Sequence, residues 1–478
     1  MGLTLLTVVI FIGLALLYAL LIPVTWRGWV LFIVSTLAVY WLQSPIFVRW
    51  LDFLLPTLTL LLVVASWYLT RTDEQSIQRE DKTAFAVLVA LLSGLALLRF
   101  LPASLRFLVV SRPPPPEIVL GLGVIVAILA VVIGRSHFRL TILFLLLVGV
   151  FVILKTDPLA AWVSEQLRRL TEQDITQASA LDLNWLGFSY VAFRLLHTVR
   201  DRQTGLLPTL SLREYVTYVV FFPSFIAGPI DRAERFIEDY RALPAQPRLL
   251  SAQFVEGSTR IMLGLFKKFV IADTLAQGLA LNTVNAQQIH SVGGSWLLLY
   301  GYALRLFFDF SGYSDIAIGV GLMFGVRLPE NFTRPYTRTN ITAFWQSWHI
   351  TLSNWARFYI FSPLSRALLR SKPRPSPTLI VLSSQLATMV MIGLWHGITP
   401  NFLIWGVWHG VGLFIHKQWT DRTRPLYRRI NPNPAQRAIA NGAAWFLTFH
   451  FVVLGWVWFA MPDFGQAINV FRQLLGVS

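Results

Sequence analysis

The 478 residues contain no cysteine. That excludes a disulfide framework, a thiolate metal site and a cysteine acyl-enzyme. Charge is scarce too: only 13% of residues are Asp, Glu, Lys or Arg, against roughly 25% in a soluble domain. Acids are the scarcer sign, 24 against 40 basic residues, for a net charge of +16. The basic excess fits loops that meet anionic lipid headgroups. No recognised binding module accompanies it, which argues against nucleic acid as a partner. With 55% hydrophobic residues, the chain reads as a membrane protein.

Several windows are long and apolar enough to cross a hydrocarbon core of about 30 Å. The first, "LTLLTVVIFIGLALLYALLI", has no charged residue before it and no convincing cleavage site, so a spanning helix is expected rather than a signal peptide. Five more follow near residues 28–47, 50–70, 83–101, 117–134 and 138–154. The connectors "RTDEQSIQREDK" (71–82) and "SRPPPPE" (111–117) carry charges and breakers, and four prolines favour an extended segment. Arg and Lys are spread over loops of both parities, so the charge bias does not orient the N-terminus.

After about residue 155 the character changes. "WLGFSYVAFRLLHTVRD" (185–201), "FFPSFIAGPIDR" (221–232) and "LFFDFSGYSDIAIGVGLMFG" (306–325) mix apolar runs with Asp, Arg, His, Gly and Pro. Polar groups are costly in lipid unless they face protein or water, so these segments are expected to surround something wet. Asp309 lies four residues after Arg305, the spacing of a helical ion pair, and Asp315 shares that helix. Gly321 and Gly325 form a G-x-x-x-G that suggests close helix packing, and the polar loop "PENFTRPYTRTN" (329–340) is expected at a funnel rim.

Of eight histidines, His137, His290, His416 and His450 stand alone near helix ends and read as structural, as does His197 in "FRLLHTVRD". His349, His396 and His409 differ: each follows a tryptophan in a long apolar run with no adjacent acid. "GITPN" after His396 holds Gly397 and Pro400, which should break the helix there and open a cavity beside the imidazole. A neutral imidazole can accept a proton at physiological pH, and desolvation keeps it neutral. The plainer reading is that each ring only bonds a carbonyl across helices. A metal site is not expected, because His396 and His409 are 13 residues apart without a carboxylate to complete the set.

Taken in order, "FFPSFIAGPIDR", "GLFKKFVIAD", "FFDFSGYSDIAIGVGLMFGVRLPENFTRPY", "FWQSWHITLSNW" and "GLWHGITPNFLIWGVWHG" resemble the membrane-bound O-acyltransferase family, in particular the bacterial alginate O-acetyltransferase and teichoic acid D-alanyltransferase types. The resemblance covers about residues 185–420. The six plain spans and the polar segments after them are expected to form an all-α, polytopic helical bundle of about 11 to 14 membrane segments, with re-entrant segments near 221–232 and 343–362, and the resemblance implies a central funnel or tunnel. Residues 1–155 would be scaffold and 156–478 the catalytic core. The implied reaction moves an acyl group, acetyl first and D-alanyl second, from an acyl carrier protein or acyl-CoA thioester to a hydroxyl of an exported cell-envelope polysaccharide or polymer. A partner protein for the acceptor and an inner (cytoplasmic) membrane location belong to the same expectation. No cofactor is implied.

By motif, His396 falls on the histidine the family assigns as catalytic and His349 on the second one, while His409 matches a further Trp-His-Gly. Trp348, Asn354, Arg357, Trp395 and Asn401 are the tunnel candidates, with Asn354, Ser353 and tryptophan nitrogens as donors to a developing oxyanion. Two departures from the pattern bear on donor docking: Phe358 stands where the family usually has an acid, and Gln346 and Ser347 stand where bulkier basic residues are common. The competing class is a polytopic exporter with intramembrane histidines. It would move substrate without forming an ester, and the repeat-type version should show two similar halves.

Overall fold

The computed structural model describes residues 3–72, 75–243, 249–429 and 433–477. Asp73 and Glu74, within the expected connector at 71–82, lie outside the described residues. No β-strand occurs among the described residues; one isolated bridge joins Phe332 to Trp348. The helices are α1 Leu5–Leu21, α2 Arg27–Trp41, α3 Leu51–Thr70, α4 Arg79–Leu97, α5 Pro116–Gly134, α6 Arg139–Lys155, α7 Asp157–Leu170, α8 Phe188–Gln203, α9 Leu212–Val219, α10 Ala233–Ala242 and α11 Ala252–Leu265. They continue as α12 Asp273–Ala276, α13 Thr283–Gln288, α14 Val292–Met323, α15 Ile341–Trp345, α16 Ile350–Ala356, α17 Ser362–Arg370, α18 Pro377–His396, α19 Pro400–Arg429, α20 Pro434–Ala460 and α21 Phe464–Leu475.

Seven stretches among the described residues are long and apolar enough to cross a membrane: Val24–Trp41, Leu51–Thr70, Arg79–Phe100, Pro116–Gly134, Val292–Met323, Pro377–His396 and Pro434–Ala460. An eighth results if α6 and α7, bent by 95°, count as one broken span. The other segments that hydropathy suggests correspond to shorter helices, among them the 17-residue α1 and the pieces between Ile341 and Arg370. All six plain spans of the N-terminal third are helical. α5 shows why lipid must be their solvent: Leu120, Val124, Ile125, Ile128 and Leu129 are exposed, and Ala130 is its buried residue.

The chain forms two compact units. The first comprises the residues up to Ile261 and Ala317–Pro329. Its polar residues tie helix starts together. The Asp81 carboxylate accepts the Gln78 N–H at the start of α4 (2.9 Å) and the Leu212 N–H at the start of α9 (2.8 Å), satisfying donors that a helix terminus leaves orphaned. The Tyr215 hydroxyl on α9 joins Ser66 of α3 and Thr198 of α8, each at 2.7 Å. Residues 221–232, expected as a re-entrant segment, form one short turn, Phe222–Ser224, and then irregular backbone. Buried Arg194 makes that tolerable, since its guanidinium donates to the carbonyls of Val219 (2.7 Å) and Ser224 (3.0 Å). Gly325 is not the packing residue its spacing suggests. It has φ +92° at the end of α14, where a left-handed residue ends the helix.

The second unit comprises Met262–Ile316 and Glu330–Ser478. Its spine is the part of α14 up to Ile316. Gly264 of α11 and Gly312 of α14 meet at the crossing, each leaving no room for a Cβ against the other's carbonyl oxygen. Beside them the chain makes a π turn, Phe266–Ala272, from which Lys267 reaches Asp315 (2.6 Å) and buried Lys268 reaches Asp309. Asp309 therefore pairs across helices, where the spacing suggested Arg305 of its own helix. Further along, α18 and α19 form an antiparallel hairpin. A Cβ on Gly393 would lie 2.2 Å from the Phe402 carbonyl oxygen, and one on Gly406 would lie 2.7 Å from that of Met389.

Candidate active site

The first element of the site is the turn that carries His349. α15 ends at Trp345, the chain turns through Gln346–Trp348, and His349 takes a left-handed backbone, φ 42° and ψ 54°, at the start of α16. The loop expected at a funnel rim holds this turn from inside. Asn331 is fully buried; its carbonyl accepts the Ile350 N–H (2.9 Å) and its side-chain oxygen accepts the Thr351 hydroxyl (2.6 Å). The Thr333 N–H donates to Ser347 (3.0 Å), and the Phe332–Trp348 bridge lies between these bonds. The His349 ring is buried against Phe310, with centroids 4.6 Å apart, and its Nε2 has no hydrogen-bond partner among the described residues.

The second element is the α18–α19 hairpin. α18 ends at His396 and α19 begins at Pro400, so the helix break expected at Gly397–Pro400 is present. Half-buried His396 packs among Phe402 (5.7 Å), Trp405 (5.8 Å) and Phe459 (4.6 Å between centroids). The rings connect the three histidines. Trp395 lies 5.9 Å from His349 and 4.4 Å from His396; Trp405 lies 5.8 Å from His396 and 4.9 Å from His409. His409 is fully buried against Trp345 (5.2 Å), and both its nitrogens are without a partner among the described residues.

The structure thus brings His349, His396, His409, Trp395 and Trp348 into one aromatic cluster, with Trp348 stacked on Phe344 (5.6 Å) and tilted against Trp456 (5.1 Å). Asn401 is buried near the start of α19, where its amide donates to the Met461 carbonyl (2.8 Å). Asn354 and Arg357 are exposed. On the short α16 the buried residues are Thr351, Leu352 and Ala356, which leaves Asn354 on the other face. Ser353 is half-buried, and its hydroxyl bonds the Trp348 carbonyl (3.2 Å). Sequence reasoning missed Asn331, Trp345, Trp405 and Phe459. The signal for the first was a polar residue in a loop already singled out; the others were aromatic residues among many.

No Asp or Glu occurs between Glu330 and Asp421, so the three histidines share a long acid-free stretch. His197 has the opposite environment, in the first unit. Its Nε2 accepts the Ala233 N–H (3.1 Å) and faces Asp201 (3.5 Å), while Arg232 bridges Asp201 (3.3 Å) and Glu234 (2.8 Å). His197, Asp201 and Glu234 have ligand atoms within 4.8 Å of one another. The lone pair and the negative charge are already engaged by the N–H and the guanidinium, which is the arrangement of a structural cluster.

A polytopic helical membrane protein with histidines at a helix break among stacked aromatics defines a class. The profile of the MBOAT, or membrane-bound O-acyltransferase, family matches residues 132–457. The chain belongs to the membrane-bound O-acyltransferase family. It is 38% identical over 294 residues to the probable alginate O-acetylase AlgI of Pseudomonas fluorescens, covering 60% of this chain and 54% of that protein. It is 33% identical over 288 residues to a teichoic acid D-alanyltransferase of Streptococcus thermophilus, 58% of this chain and 68% of that one. With a peptidoglycan O-acetyltransferase of Helicobacter pylori it shares 33% over 265 residues, 55% and 47% of the two chains. The chain spans about half the length of the alginate O-acetylases it matches.

Proposed function

We propose that this protein is a multi-pass O-acyltransferase of the inner (cytoplasmic) membrane. It transfers an acyl group, acetyl in the first instance and D-alanyl in the second, to a hydroxyl of an exported cell-envelope polysaccharide or polymer. The relatives' names support the class of group and acceptor. The observation that carries the reading is the placement of His396 at the broken end of α18, one tryptophan away from His349. Residues 1–155 serve as scaffold and 156–478 as catalytic core. The exporter alternative has no support from the relatives named above.

In the reaction the acceptor hydroxyl reaches the His396 imidazole from the break at Gly397–Pro400, the start of the proposed tunnel. The neutral ring takes the hydroxyl proton as oxygen attacks the thioester carbonyl carbon. The carbon–sulfur bond then breaks, and the thiolate leaves with the proton returned by the imidazolium. The products are an ester and a thiol, with no covalent acyl-enzyme required. His349 orients donor or acceptor. The donor is an acyl carrier protein or acyl-CoA thioester, and the acceptor arrives with a partner protein. The test compares base-labile O-acyl groups on envelope polymers from cells with and without the protein. Loss of acetyl or D-alanyl esters is expected; an unchanged ester content would reject the reading.

A further inference from the structure

We infer that Asn331 is a positioning residue for His349, an inference that rests on the acyl-transfer reading above. Asn331 uses both ends of its amide and its carbonyl. The carbonyl and Oδ1 accept from Ile350 (2.9 Å) and Thr351 (2.6 Å), the two residues that follow His349, while Nδ2 donates to Ser314 on α14 (3.1 Å). One fully buried side chain thereby fastens the histidine-bearing turn to the long helix.

The fastening is needed because of the backbone it holds. His349 has φ 42°, a left-handed conformation that residues other than glycine rarely adopt. Such a conformation persists only where its surroundings over-determine it. The Thr333–Ser347 bond holds the chain before the turn, and the two Asn331 bonds hold it after. Released on the far side, the residue relaxes toward the right-handed region and carries the imidazole away from Phe310 and Trp395. An amide is the group suited to this place. A carboxylate lacks the donor for Ser314 and buries a charge, and an aliphatic side chain offers neither the acceptor that Thr351 uses nor the donor that Ser314 uses.

The test follows ester formation by the full chain in proteoliposomes, with acetyl-coenzyme A and an alginate oligosaccharide, for Asn331→Ala and Asn331→Asp. Turnover should fall about 10²-fold in the alanine variant, the scale expected when a misplacement of about an ångström disturbs the alignment of the reactants. KM for both substrates should stay near the wild-type value, and the aspartate variant should lie between. The deciding measurement is the same substitution in a His349→Gln background, read from single-turnover rates. Asn331→Ala should cost little more there, because the group it positions is gone. An equal loss in both backgrounds marks a merely structural residue and overturns the inference, as does normal turnover by the folded alanine variant. If Asn331→Ala does not fold, Thr351→Val, which removes one donor and keeps the asparagine, carries the same cycle. Full turnover by His349→Gln itself removes the acyl-transfer role from His349, a failure of the underlying reading rather than of the Asn331 contacts.

Discussion

His396 and His409 differ in burial, and the difference predicts different responses to the same substitution. His396 is half-buried at a helix end. His396→Ala should therefore leave the fold and insertion intact while lowering single-turnover ester formation by about 10²-fold to 10⁴-fold, the usual worth of a positioned general base. Normal turnover would return it to a packing role. His409 is fully buried, so His409→Ala should lower the thermal midpoint in detergent more than His396→Ala does, through the cavity it leaves. Its effect on turnover should be the smaller of the two. These histidines were legible in the sequence because a polar ring in an apolar run needs a reason. Their mutual placement was not. Counting turns from His396 puts His409 far along a continuing helix, whereas the hairpin folds α19 back so that Trp405 touches both rings. Asn354 and Arg357 lie on exposed positions of the chain, since a seven-residue helix has two faces and the buried one carries Thr351, Leu352 and Ala356.

Among the elements, the α18–α19 hairpin has the least room for change. Gly393 and Gly406 face backbone atoms that cannot move aside as a side-chain tip would. Gly393→Val or Gly406→Val should force the helices apart, costing about 1 to 3 kcal/mol or more as overpacking does, and should displace His396 from Trp405. The check is thermal unfolding in detergent together with turnover; an unchanged midpoint would mean that the helices do not pack through these glycines. The break before α19 was readable from Gly397 and Pro400, because proline removes a donor and glycine weakens the preceding turn. The irregular 221–232 stretch was not, because the Val219 carbonyl just before it and the Ser224 carbonyl within it are satisfied by Arg194, 25 and 30 residues earlier in the chain. A backbone fed by a distant guanidinium has no local signature.

At the scale of the whole molecule, the lack of cysteine allows a direct test of topology. Each introduced cysteine is the sole thiol, so labelling by a membrane-impermeant maleimide reports one position. If α4 and α5 both cross, Ser76→Cys and Ser136→Cys should label from one side and Ser104→Cys from the other. Equal labelling of all three from one side would remove both spans. The N-terminal spans were legible because length and apolarity suffice to define them; the second half required tertiary partners that hydropathy does not encode. α5 has one further consequence. Nineteen residues at 1.5 Å each make a rod of about 28 Å, and Leu120, Val124, Ile125, Ile128 and Leu129 give it a broad apolar face open to acyl chains. Its length therefore matches a bilayer of ordinary thickness, and acyl chains much longer than that would have to thin around it at an elastic cost. Lipid chain length thus becomes a variable in any reconstitution of the protein, as real as pH or salt.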